Sequence, residues 1–132
     1  KRKILLAIVS LLLILAVIVV FDKAKGKKPF QDLEASDISG ASVELVPPET
    51  TVQITELEEL AGYLNDIIVY EKDNSYNEYA GQTVTITLTM KDGSKKEIRE
   101  NNPFVAIDGT GYKAKYEPLE ALSHYANSLG EE

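Results

Sequence analysis

The apolar positions change period several times along the chain, and each change predicts an element. From Ile4 to Phe21, "ILLAIVSLLLILAVIVVF" runs for 18 residues without a charge. As a helix rising about 1.5 Å per residue it reaches roughly 27 Å, close to the thickness of a bilayer's hydrocarbon core. Lys1, Arg2 and Lys3 before it and Lys23, Lys25, Lys27 and Lys28 after it suit the headgroup layers on either side. The expectation is a transmembrane helix with the following domain outside the cell. A cleaved signal peptide is the competing reading, because Ala24-Lys25-Gly26 places small residues where a signal peptidase reads.

Beyond the charged stretch 22–37, read as a juxtamembrane linker, the period becomes two. Val43 and Leu45 alternate with Ser42 and Glu44, Pro47-Pro48 interrupts, and Val52 and Ile54 resume the alternation; two strands joined by a proline turn fit. Thr55 and Glu58 then stand as a T-x-x-E capping box ahead of Leu57, Leu60, Ala61 and Leu64, which predicts a helix over about 56–66. "IIVYEKD" reads as a strand. "TVTITLTM" puts Val84, Ile86, Leu88 and Met90 on one face and four threonines on the other, the pattern of a half-buried central strand.

Register decides the turns. A two-residue Asp92-Gly93 loop would send Ile98 to the polar face, whereas a three-residue Lys91-Asp92-Gly93 loop pairs Ile98 with Ile86. Further on, "FVAI" and "YKAKY" flank Asp108-Gly109-Thr110-Gly111. A Gly109-Thr110 turn of type II′ is expected, pairing Ile107 with Tyr112 and Val105 with Ala114. Pro118 suits the first turn of a last helix, with Leu119, Leu122, Ala126 and Leu129 inward and Gly130 as the stop.

Charge sharpens this division. The first 28 residues carry seven cations and one acid, and the remainder seven cations and 20 acids, so the domain repels nucleic-acid phosphates. Nucleic acid is not an expected partner. With no cysteine there is no disulfide, no thiolate nucleophile and no lipidated cysteine.

Candidate chemistry is sparse. The glycines of "DGTGYK" are not followed directly by a helix, as a phosphate-cradling loop requires, and Gly109 separates Asp108 from Thr110 where an aspartic protease has Asp-Thr-Gly adjacent. Asp73, Asn74, Asn77 and Glu78 lack the spacing of a calcium loop. His124, the only histidine, falls beside Glu120 on the predicted solvent face of the last helix, which excludes a multi-histidine metal site. No catalytic, cofactor or metal residue is assigned. Tyr76 and Tyr79 in a loop, with Lys113, Lys115 and Tyr116, form the candidate binding surface.

The segments "ELVPPETTVQIT", "VYEKDNSYNEYAGQ", "MKDGSKKEI" and "NPFVAIDGTGYKAKYEPLEAL", spread over 42–126, resemble a family of small uncharacterised extracytoplasmic domains of Gram-positive Firmicutes. Members sit behind one membrane helix or a lipoprotein signal. The family often has cysteine where this chain has Leu119, and the lipobox of some members is missing. The resemblance implies an outside location and a Gram-positive source, with no activity to carry onto any residue.

The sequence therefore predicts an α+β domain: an antiparallel sheet of about five to seven strands with two helices on one face, preceded by one N-terminal transmembrane helix. The anchor covers 1–21, the linker 22–37 and the acidic domain 38–132. The expected function is non-enzymatic, a membrane-anchored extracytoplasmic binding or sensing module with an envelope protein or peptide as partner. The alternatives are an envelope inhibitor or immunity-type protein, and an enzyme with a scattered Asp/Glu/Tyr/Lys site.

Overall fold

The alternating strand at 83–90 lies inside a seven-stranded antiparallel sheet in the computed structural model, which describes residues 2–131 except Tyr79 and leaves the side chains of 17–24 and Asn77 outside the description. In chain order the elements are α1 (Arg2–Lys25), β1 (Ile38–Val46), β2 (Thr50–Ile54), α2 (Leu57–Asn65), β3 (Val69–Lys72), β4 (Thr83–Met90), β5 (Lys95–Asn101), β6 (Phe104–Ile107), β7 (Thr110–Ala114) and α3 (Tyr116–Gly130). Short 3-10 turns occupy Ala35–Asp37 and Ser75–Glu78. The strand order is β2-β1-β4-β5-β6-β7-β3, an α+β architecture in which β3 crosses to the far edge.

Period-two patterning sorts the sheet into two faces. Val43, Leu45, Val84, Ile86, Leu88, Ile98 and Val105 point to one side, where Leu60 and Leu64 of α2 and Leu119, Leu122 and Tyr125 of α3 meet them in a single core. Leu122 and Ile98 are fully buried, and each such side chain contributes about 1.5–3 kcal/mol by leaving water. The four threonines of β4 face the other way and are half-buried.

Register confirms one hairpin and corrects the other. Ile86 pairs with Ile98 across the loop 91–93, with Gly93 at φ +90° and its N–H bonded to the Met90 carbonyl at 3.0 Å. In the β6–β7 hairpin, however, Ile107 pairs with Thr110 and Val105 with Tyr112, so the two-residue turn is Asp108-Gly109 and not Gly109-Thr110. Both residues have positive φ, 49° and 89°, the signature of a type I′ turn, for which Asp-Gly is a favoured pair. Asp108 is also held from β5: its Oδ1 accepts the Glu97 N–H at 2.8 Å and its own N–H bonds the Glu97 carbonyl at 2.9 Å.

The helix starts also differ in detail. α2 begins at Leu57 with Glu56 as N-cap and no side-chain cap bond, so the T-x-x-E box does not form. α3 begins at Tyr116, two residues before Pro118, and ends with Gly130.

The stretch expected as a linker contributes to the core. Phe30 is buried, and the Asn65 Nδ2 at the end of α2 donates to the carbonyls of Phe30 at 2.6 Å and Leu33 at 3.0 Å. α1 joins the sheet through one residue, Gly26, at φ +73°, where a Cβ would meet Ile68 Cγ2 and the Val69 carbonyl at 2.7 Å. Lys27 then pairs with Val69 in both directions at 2.8 Å. Along α1 the described apolar side chains from Ile4 to Leu15 are exposed. Among the described residues no helix is long and apolar enough to cross a membrane, and the side chains at the end of the apolar run, 17–21, lie outside the description; the expected span over 4–21 rests on the sequence alone.

Candidate binding surface

On the sheet face opposite the helices, β7 carries Gly111 and Lys113, and the segment after β3 folds back so that Gly111 is buried while Lys113 stays exposed. Ser75 gives its N–H and its hydroxyl to Asp73 Oδ1 at 2.9 and 2.5 Å. These bonds are the main reason the Asp73 carboxyl is held below its usual value. Asn74 Oδ1 accepts the Gly111 N–H at 2.9 Å, and Asp73 N–H reaches the Gly111 carbonyl at 2.9 Å. Asn101 Nδ2 donates to the Tyr76 carbonyl at 3.3 Å. The 3-10 turn is thereby fastened to β5 and β7, with Tyr76 lying against Gly111.

Lys113 shares this face, but its charge is already met. Its Nζ is 3.4 Å from Glu71 Oε1 and 3.9 Å from Asp73 Oδ2. Tyr76 and Lys113 are thus brought together around Gly111, while Tyr79 lies outside the described residues. Lys115 and Tyr116 form the entry to α3: Lys115 bonds the Ile68 carbonyl through its N–H at 2.9 Å, its side chain is exposed, and Tyr116 is exposed beside it.

Tyr116 leads to a second group, of which sequence reading did not single out Glu100. The Glu120 carboxylate acts on the Tyr116 hydroxyl by charge and by hydrogen bond, raising its pKa, and lies 3.3 Å from His124 Nε2. This pairing of His124 with Glu120 on an exposed helix face is as the sequence predicts. Glu100 sits nearby on the core face of β5, opposite Val84 and Val105, and is 3% exposed. Burial pushes its carboxyl up to about 7, opposed by the Asn102 N–H bonded to Oε1 at 3.1 Å and reinforced by the Glu120 charge. The signal was present in the register, since pairing Ile98 with Ile86 places residue 100 on the same apolar face; a Glu in "EIREN" simply did not read as core.

The Glu100 carboxyl is enclosed, whereas the Glu120 carboxylate reaches the surface and meets Tyr116 and His124 there. Among the described residues no cluster of His, Asp and Glu is arranged to hold a metal ion. A shallow hollow of about 430 Å³ beside the β4–β5 turn is lined by Asp37, Met90, Lys91, Asp92 and Lys96, among others, charges of both signs beside an apolar side chain. No family model, curated protein or solved structure matches the chain.

Proposed function

We propose that the chain is a membrane-anchored, extracytoplasmic, non-enzymatic binding module. The observation that carries this reading is α1: an 18-residue uncharged run whose described apolar side chains turn outward and which leads through Gly26 directly into the acidic domain. Apolar side chains left outside a core call for another apolar environment, and cationic flanks fit the headgroup layers on both sides. The domain outside the cell then presents tyrosines, lysines and unpaired carboxylates to envelope proteins or peptides. The family resemblance over 42–126 supports the same location. Protease applied to intact cells is expected to remove the domain while the helix stays in the alkali-washed membrane fraction, and crosslinking in that membrane is expected to capture a protein or peptide partner. Protection of the domain, or its release by alkali, would overturn the anchor; turnover of a small-molecule substrate by the purified chain would overturn the non-enzymatic reading.

A further inference from the structure

We propose that the outer edge of β2, framed by Glu49 and by Glu56 and Glu59 at the start of α2, takes an extended basic peptide segment as an added strand. This deepens the binding-module reading and rests on it.

The two edges of the sheet differ. At the β3 edge the register is broken by an irregularity between Val69 and Lys72, Lys27 pairs with Val69, and Glu71 and Lys72 add charge. Irregular register, a covering segment and charges are the devices that keep an edge from pairing with other chains. Among the described residues β2 has none of them. Its register with β1 is regular from Ala41↔Ile54 to Leu45↔Thr50, and "TTVQI" contains no charge and no proline.

The backbone groups on that edge can be assigned. Met90 gives its N–H to Ser94 across the β4–β5 turn, so the even-numbered residues of β4 bond toward β5 and the odd-numbered ones toward β1. In antiparallel pairs, directly opposed residues either exchange both bonds or none. Carried through Thr87↔Ser42 and Val43↔Val52, this turns Thr50, Val52 and Ile54 toward β1. Thr51 and Gln53 therefore direct their N–H and C=O groups away from the sheet, and both residues are exposed.

Charge selects the occupant. Residues 29–71, which include β1, β2 and α2, hold ten acids and no lysine or arginine. Among the described residues the ion pairs involve Glu71, Asp73 and Glu120; Glu44, Glu49, Glu56, Glu58 and Glu59 make none. Tyr125 supplies an independent observation. It is 6% exposed and stacked on Tyr63 with ring centroids 4.6 Å apart, and its buried hydroxyl has no hydrogen-bond partner. Burial first, and then the charge of Glu59, the Tyr63 hydroxyl and the charge of Glu56, push it up to about 12. An unanswered negative field thus reaches the α2–α3 seam beside β2. A second copy of β2 would bring the same acids together, whereas lysine or arginine at the ends of an incoming strand answers them. Main-chain bonds supply the affinity in such an addition, and the end charges supply the selection.

The test uses the full chain in detergent micelles and a fluorescein-labelled peptide of alternating Val and Thr with paired lysines at both ends, read by anisotropy. Saturable binding is expected, weakened about tenfold or more when glutamates replace the peptide's lysines. Gln53→Pro removes an outward N–H and is expected to abolish binding. Gln53→Lys keeps the backbone intact, guards the edge with a like charge and is expected to weaken binding about tenfold, while Gln53→Glu preserves it. Absence of binding by the lysine-ended peptide, equal binding of the two peptides, or indifference to both Gln53→Pro and Gln53→Lys would overturn the inference. A partner captured in the membrane whose crosslinks map to Tyr76 and Lys113 would also overturn it, yet would leave the binding-module reading standing; capture of no partner at all would count against that reading.

Discussion

Tyr76 lies across Gly111 so closely that a Cβ built on the glycine would come within 2.5 Å of the tyrosine ring and would collide with the Asp73 carbonyl. Gly109, two residues earlier, has nothing within 4 Å of such a Cβ but sits at φ +89°. The two glycines of "DGTG" thus serve different ends, one a left-handed turn and the other a close approach of two backbones.

Gly109→Ala is therefore expected to cost about 1 kcal/mol, from conformational strain alone. Gly111→Ala must move backbone as well and is expected to cost about 2 kcal/mol or more, with loss of amide protection at Asp73 and Gly111, whose N–H groups tie the loop to β7. Urea midpoints of the two variants, with hydrogen exchange on the second, check the order; equal costs would contradict the close approach.

Glu100 makes stability depend on pH. Its carboxyl rises from an ordinary 4.5 to about 7 on folding, so its contribution is fully present below about pH 4.5 and is lost as pH rises through about 7. Glu100→Gln keeps the shape without the charge and is expected to stabilise the domain at pH 8 by roughly 1–3 kcal/mol while changing little at pH 4. Denaturant unfolding at both pH values reads the difference, and a variant less stable at pH 8 would refute the buried neutral carboxyl.

Phe30 and Asn65 test where the folded unit begins. Phe30→Ala is expected to cost about 3 kcal/mol, and Asn65→Ala, which strands the Phe30 and Leu33 carbonyls, about 1–2 kcal/mol. Near-zero effects in chemical denaturation would return 22–37 to the status of a tether.

Lys113 and Lys115 are the cations of the surface expected from sequence. Because the Lys113 pairs are solvent-exposed, replacing both lysines with alanine is expected to shift stability by no more than about 0.5 kcal/mol. A larger loss in thermal melts would mean that the contacts with Glu71 and Asp73 brace the 3-10 turn.

How far the sequence can be read depends on whether a residue's role is periodic. Val84, Ile86, Leu88 and Met90 declare one face of β4, and the three-residue loop follows from keeping Ile98 on that face. The β6–β7 turn kept the correct face yet missed the pairing, because a shift of two residues in register preserves the alternation; only the preference of Asp-Gly for two positive φ angles separates the alternatives. Thr55 and Glu58 have capping spacing, but the chain leaving β2 makes Glu56 the N-cap. Phe30 stood alone among charges and carried no period at all. Of the candidate surface, Tyr76 reaches Gly111, two residues from Lys113, through a loop that returns over β7, a long-range contact that no local pattern encodes.

Gly26 and the paired Lys27–Val69 backbone also fix how load travels between helix and sheet. A slack tether would absorb a pull by straightening; here the two bonds between Lys27 and Val69, 2.8 Å each, lie one residue beyond the helix end. Tension on the folded domain therefore reaches α1 through a single residue, Gly26, with no slack chain between the helix end and the sheet.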